Sequence, residues 1–269
     1  MPLVKWAAGL RASRVDILQK ETRIPYLSIV IPAYNEAKRI AISLDRIADY
    51  LGARTYTYEA LVVDDGSTDG TLEICREFAS RHEWLKVLHF SVNHGKGHAV
   101  RRGVLEAEGE HILICDADLA TPIEELDRFR RFLGEGADIV IASRPLRDSH
   151  LVERQPLYRE FAGRMFNLLV RAVAVRGIHD TQCGFKLIRR EAAHSVFPLC
   201  SLNGFSFDIE ALHVAQRLGF RIKEAPVHWC HKPGSKVKLL RDGMRMFLDL
   251  FRIRVRHRNL PRHARDEAG

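Results

Sequence analysis

Asp116 and Asp118 stand on either side of one small residue, Ala117, directly behind an apolar run over residues 111–115. In an extended segment positions i and i+2 point the same way, so the two carboxylates are expected to face one hard cation. Mg²⁺ or Mn²⁺ would use them together with phosphate oxygens of a substrate, because such ions seldom have a wholly protein cage. Polar groups recur behind other apolar runs: Tyr34-Asn35-Glu36 behind 27–31, Asp64-Asp65 behind 60–63, and Asn93 to Gly97 behind 85–90. Turn chemistry alone does not ask for acidic or polar loops at every one of these ends.

The elements that must position these groups are legible as an alternation. The runs 27–31 and 60–63 are apolar on both faces, as buried parallel strands are, and 85–90, 111–115 and 138–142 read as three further strands. Between them, helical spacing runs over 37–51 through Ile40, Leu44, Ile47 and Leu51, then through Leu72, Ile74, Cys75 and Phe78, with Ser67 or Thr68 as the expected cap. Further helices are expected over 99–106 and 123–133. Strand alternating with helix predicts a doubly wound α/β sheet, in which ligands collect at the carboxyl ends of the strands.

Several nucleotide chemistries are excluded. No G-x-x-x-x-G-K-[ST] is present, Gly95-Lys96-Gly97 lacks the length and position of a dinucleotide loop, and no serine nucleophile elbow occurs. What remains is a diphosphate held by a metal. The chain has 269 residues and a formal charge of +8, all of which falls on residues 221–269, with thirteen Lys/Arg against five Asp/Glu. A basic end on a neutral body suits anionic lipid or phosphate and argues against a nucleic-acid binder. The five cysteines are scattered without a C-x-x-C, and no secretory signal is evident, so a reducing, cytoplasmic setting is expected. His228, Cys230 and His231 lie close in sequence, but without further paired ligands no zinc is placed there.

Taken together, Ile31-Pro-Ala-Tyr-Asn-Glu36, Val63-Asp-Asp-Gly-Ser-Thr-Asp-Gly70, Asn93-His-Gly-Lys-Gly97 and Asp116-Ala-Asp118 resemble the family-two glycosyltransferases of the GT-A fold. The later Asp180-Thr-Gln-Cys-Gly-Phe-Lys186, Gly204-Phe-Ser-Phe-Asp-Ile-Glu210 and Pro233-Gly-Ser-Lys236 resemble the dolichyl-phosphate β-glucosyltransferase branch, and more distantly the polyprenyl-phosphate mannose synthases. The likeness spans roughly residues 27–254. It implies a Rossmann-like mixed sheet flanked by helices, and a donor site of Pro32, Tyr34, Glu36, Asp64, Asp65, Lys96, Asp116, Ala117 and Asp118. Glu36 and Asp65 would contact the nucleoside, Asp64 its base or ribose, and Lys96 the nucleotide, while Asp116 and Asp118 would take the metal. In the mannose synthases a Gln follows the metal motif as a further ligand; here Ala120 stands in its place.

The second half is expected to form the acceptor side. Amides of Thr181, Gln182 and Gly184 can cradle a phosphate, with Lys186 or Arg144 to neutralise it. Asp208 and Glu210 are the acceptor-side carboxylates. A sugar hydroxyl needs a general base, whereas a phosphate monoester is already an anion and needs none. Asp208 is therefore expected to matter for positioning if the acceptor is a lipid phosphate. Lys236, with Ser235 beside it on a Pro-Gly turn, would stabilise the departing diphosphate during an in-line, inverting displacement.

No stretch has the ~18 uninterrupted apolar residues of a membrane span. Over 237–258, however, Leu240, Met244, Phe247, Phe251 and Val255 recur at helical spacing beside Arg241, Arg245, Arg252 and Arg256, the pattern of an interfacial helix. The expected organisation is a basic amphipathic arm over 1–25, a glycosyltransferase domain over 26–236, the interfacial helix over 237–258 and a tail over 259–269. The expected activity is hexose transfer, with UDP-glucose favoured over GDP-mannose, to a polyprenyl phosphate by a peripheral enzyme on the cytoplasmic face of a membrane. An enzyme extending a saccharide, with Asp208 or Glu210 as base, is the alternative. An inert binding module would tolerate Asp118→Ala.

Overall fold

The computed structural model describes residues 24–153, 157–230, 232 and 239–261. The expectations for the arm over 1–23, for His231, Ser235 and Lys236, and for the tail over 262–269 lie outside the described residues.

The strands are β1 (Leu27–Ala33), β2 (Tyr58–Asp64), β3 (Leu85–His89), β4 (His111–Ile114), β5 (Ile139–Ala142), β6 (His150–Glu153), β7 (Lys186–Arg189), β8 (Ile222–Ala225) and β9 (His228–Cys230). The α-helices are α1 (Ile40–Gly52), α2 (Thr71–Arg81), α3 (Lys96–Glu106), α4 (Leu126–Gly134), α5 (Leu157–Val173), α6 (Arg190–Val196), α7 (Phe207–Arg217) and α8 (Leu239–Arg256). Seven strands form one sheet in the order β3-β2-β1-β4-β7-β5-β8, while β6 and β9 pair as a small second sheet. Within the large sheet β7 runs antiparallel to both neighbours, β4 and β5, and the remaining pairs are parallel. The sheet is mixed, as the GT-A likeness implied, and departs from the purely parallel alternation of the first half.

Side chains alternate across this sheet with the period of a strand. Leu27, Ile29 and Ile31 of β1 join Leu44, Ile47, Phe78 and Phe129 in one apolar layer under α1, α2 and α4. Val30, Leu61, Val63 and Ile112 join Val100, Val104, Leu212, Leu250 and Ile253 in the other, under α3, α6, α7 and α8. Burial on both faces explains why these strands read as continuous apolar runs.

Local geometry corrects two expectations. Ser67 and Thr68 do not cap α2: Gly70, in the left-handed region, precedes the helix, and no side chain caps it. The Ser67 hydroxyl instead accepts the amide of Asn35 at 2.9 Å, and the Thr68 amide donates to Asn35 Oδ1 at 2.8 Å. Nor is Asp116 to Asp118 extended. β4 ends at Ile114, the amide of Leu119 closes a turn on the Asp116 carbonyl, and Leu119 itself has φ +46°. Asp116 and Asp118 share a rim because of this turn, without the strand alternation expected of them.

The crevice that collects these loops follows from register. β1 pairs with β4 only as far as Val30 and Ile114, but stays with β2 through Ala33 and Asp64. Successive connections depart to opposite sides of that gap, which is the switch point where open α/β sheets bind ligands. Pro32 lies beyond the last β4 partner, on the side where its missing N–H breaks no ladder bond.

Candidate active site

The donor-side rim is built from loops that tie one another down. The buried Asp65 carboxylate accepts the amides of His94 at 3.0 Å and Gly95 at 2.7 Å and the side-chain amide of Asn93 at 2.9 Å. It thereby fixes the loop that leads into Lys96. Burial pushes the Asp65 carboxyl up, more than those amides pull it down. Asp64, fully buried, lies 2.8 Å from His89 Nδ1 through Oδ2 and accepts the Ser67 amide at 3.3 Å. The Glu36 amide donates to Thr71 Oγ1 at 2.7 Å, so the loops after β1 and β2 are stitched together. Arg39 grips Glu36 and extends to within 3.6 Å of Asp118 Oδ2. Tyr34 is half-buried at the mouth, and Pro32 and Ala117 are buried beneath it.

At the centre, Lys96 Nζ lies 2.6 Å from Asp116 Oδ1. Burial would lower the Lys96 ammonium, but Asp116, Asp208 and Asp118 outweigh it and raise its affinity for the proton. Burial likewise lifts Asp116, yet Lys96, with help from Lys186 and Arg144, brings its carboxyl below the ordinary value. Asp118 is raised, first by burial and then by the charge of Asp116. The two carboxylates thus repel one another across the turn, and a divalent cation between them would relieve that repulsion. Their hard oxygens suit Mg²⁺ or Mn²⁺. Among the described residues no cluster of three or more His, Cys, Asp or Glu could enclose an ion, so phosphate oxygens and water would have to complete the shell.

Gly184 presses directly on this centre. A Cβ built there would stand 2.0 Å from Asp116 Oδ2, so any larger residue would displace the carboxylate or the 180–185 loop. That loop is anchored by Asp180, buried and paired with Arg144 through Nε at 2.6 Å and Nη2 at 2.9 Å. Burial opposes the Asp180 charge, but Arg144 prevails and holds the carboxyl below its usual range. Asp180 also accepts the amide of Gln182 at 3.3 Å. Lys186, at the start of β7, is 4% exposed. Its Nζ lies 2.6 Å from Asp208 Oδ1 and donates to the Cys183 carbonyl at 2.5 Å. Asp208 remains raised by burial even so, with Lys186 and Lys96 pulling the other way.

Asp116, Asp118, Lys96, Lys186 and Asp208 therefore form one connected charge network, with Gln182 on the 180–185 loop beside it and Arg144, just after β5, anchoring that loop through Asp180. Glu36 reaches it through Arg39. Glu210 turns away and binds the amides of Ser201 and Leu202. Sequence reasoning missed Arg39, Asp180 and Glu224, whose carboxylate accepts from Ser143 Oγ and the Asp180 amide. The three-residue spacing of Glu36 and Arg39 was the available signal for the first; the others depend on contacts distant in sequence.

Comparison with known proteins places the chain in a family and a fold. Residues 28–197 match the model of glycosyl transferase family 2. The chain is 37% identical over 264 residues to a mouse dolichyl-phosphate beta-glucosyltransferase, covering 93% of this chain and 81% of that one. It is 36% identical to the Saccharomyces cerevisiae protein of the same name, covering 86% and 74%. In fold it resembles the mannosyl-3-phosphoglycerate synthase of Rubrobacter xylanophilus, with TM-score 0.64 and 22% identity over 94% of this chain and 79% of that one. It also resembles a Pyrobaculum calidifontis mannosyltransferase solved with GDP-Man and Mn²⁺, with TM-score 0.53 and 23% identity over 84% and 65%. The chain belongs to glycosyl transferase family 2 and is a glycosyltransferase of the GT-A fold.

Proposed function

We propose that this family-two glycosyltransferase moves glucose from UDP-glucose to dolichyl or another polyprenyl phosphate, with inversion, while lying on the cytoplasmic face of a membrane. The observation that carries this reading is the commitment of Asp208 to Lys186 at 2.6 Å, both nearly out of solvent. A carboxylate so engaged is poorly placed to take a proton from a hydroxyl, and a phosphate monoester needs no proton removed. The relatives named dolichyl-phosphate beta-glucosyltransferase support the same acceptor and sugar.

In this mechanism Glu36, Asp64, Asp65, Tyr34 and Pro32 hold the nucleoside, and Lys96 meets the diphosphate. Asp116 and Asp118 are where Mg²⁺ or Mn²⁺ would be held, with Ala117 between them on the donor side, and the ion would supply Lewis-acid stabilisation of the leaving diphosphate when bound. Arg144, Gln182 and Lys186 orient the acceptor phosphate. One of its oxygens forms the new bond to the anomeric carbon as the bond to UDP breaks on the opposite face. Lys236 adds positive charge for the departing group, and Ser235 joins the acceptor-binding residues.

Peripheral docking is assigned to α8. Met244, Leu248, Phe251 and Val255 are exposed along it beside Arg245, Arg252 and Arg256. Met165 and Leu168 are also exposed on α5, which packs against α8. Among the described residues no helix is long and apolar enough to cross a membrane.

The test is radiolabelled transfer from UDP-glucose, and in parallel GDP-mannose, to a short polyprenyl phosphate with Mg²⁺ or Mn²⁺ present or chelated. Metal-dependent glucosyl lipid in the organic phase is expected. Donor hydrolysis without lipid product would move the acceptor elsewhere.

A further inference from the structure

We propose that Asp249 of α8 and His257, one residue beyond its end, are positioning residues that brace the acceptor-side carboxylate Asp208 through its neighbours Ser206 and Glu210. Ser206 Oγ donates to Asp249 Oδ2 at 2.8 Å, and both residues are buried. His257 Nε2 meets Glu210 Oε1 at 2.9 Å, with the two side chains 5% and 1% exposed. Asp208 lies between these contacts in the chain, on the first turn of α7.

Apolar packing would already hold α8 in place, since Met246, Leu250 and Ile253 are buried against the second layer. Two buried polar contacts are an unusual addition, because carboxylates removed from water carry a desolvation cost and contribute weakly to net stability. What hydrogen bonds add is direction. They fix the rotation and axial register of one helix on another, which interdigitated leucine and isoleucine leave looser.

The other attachments of α7 show what the brace holds against. Glu210 accepts the amides of Ser201 at 2.8 Å and Leu202 at 2.7 Å, seating the lead-in loop. That loop in turn receives the Gly97 amide on the Asn203 carbonyl at 2.7 Å. The first turn of α7 is thus gripped by the donor-side loop on one side and by α8 on the other. From Asp208 the contacts continue to Lys186, to the Cys183 carbonyl and to Gly184 against Asp116. Asp249 also pairs with Arg252 at 2.9 Å, which sets its rotamer for Ser206. The residues that face outward on α8 and those that steady the site share this helix and the turn that directly follows it.

The test uses the full chain with Asp249→Leu and His257→Leu, alongside Asp249→Asn, which keeps an acceptor for Ser206, and His257→Gln, which keeps a donor for Glu210. Hydrogen exchange should quicken about tenfold at residues 206–211 and 183–186 in the leucine variants, with the β1 and β2 amides unchanged. Because the acceptor arm rests on the proposed function, it is read separately: kcat on a short polyprenyl phosphate should fall about tenfold, with UDP affinity by calorimetry held within about threefold. Both effects should largely recover in the Asn and Gln variants. Unchanged local exchange overturns the brace, and so does exchange that rises evenly with a lowered Tm. If the wild type transfers nothing to any polyprenyl phosphate, the functional reading fails, and the exchange data alone decide the brace.

Discussion

The carboxylates on the two sides of the crevice hold different kinds of partner. On the donor side Asp65 holds backbone amides, and Asn35, Ser67 and Thr71 hold more, so the loops define one another over short reaches. On the acceptor side Asp180, Asp208 and Glu210 each take a side chain from a different element: Arg144, Lys186 and His257. The Asp65 amide cradle orders the 93–97 loop without an ion pair, although Glu36, Asp64 and Asp116 nearby do take side-chain partners. Buried pairs across elements make the site a by-product of tertiary docking, so that losing one partner costs stability as well as turnover.

The point where the two sides meet should respond most. Asp118→Ala is expected to lower kcat/KM about 10³-fold with the fold intact, since it removes half of the carboxylate pair where leaving charge develops. Steady-state kinetics and thermal melting check this together. Lys186→Met should cost about 3 kcal/mol or more in urea unfolding by leaving Asp208 buried and unpaired. Adding Asp208→Leu should return most of the stability without the activity; a donor-side variant would show no such split. Gly184→Ala should lower turnover about 10²-fold, because its Cβ displaces the Asp116 carboxylate. Mn²⁺ binding by EPR with UDP present should weaken in parallel.

Smaller effects separate the halves further. Asp65→Ala should lower UDP affinity about tenfold and stability by about 1–2 kcal/mol, through a loosened 93–97 loop, as titration calorimetry would register. On the acceptor side acid should act through Asp180. Asp180 is held below its unfolded value, so its contribution is present above about pH 4 and is lost as pH falls through the depressed folded value. Arg144→Met removes the cation and leaves burial to raise the carboxyl, which reverses the sign. Between about pH 5 and 3.5 the variant should lose about 2–4 °C less in Tm than the wild type.

The same contrast decided what could be read in advance. β1, β2 and β4 were legible because each is buried on both faces and ends in turn chemistry, and the acidic rim followed from where they end. β7 was not: four residues with a cation at either end, Lys-Leu-Ile-Arg, give no periodicity to recognise. Lys186, Asp208 and Asp118 could be picked out, but not their partners, since the Lys186–Asp208 and Arg39–Asp118 contacts join elements that local sequence does not relate. Asp249 was hidden for another reason. In a helix rich in Arg it reads as a solvated i,i+3 partner of Arg252, and its second oxygen, turned inward to Ser206, leaves no mark on the pattern.

The antiparallel placement of β7 has a kinetic consequence. Strands β1 to β4 find their partners within the first part of the chain, whereas Lys186 must travel back to lie opposite Ile114 and Ile141. Long-range pairing of this kind is entropically slow, because the intervening segment must be gathered before any contact rewards it. The residue that completes the ladder is also the one that neutralises Asp208 and carries the 180–185 loop over Asp116. Closure of the sheet and assembly of the catalytic charges are then one event, and a chain caught before that event can hold a nucleotide-shaped rim while having no acceptor side at all.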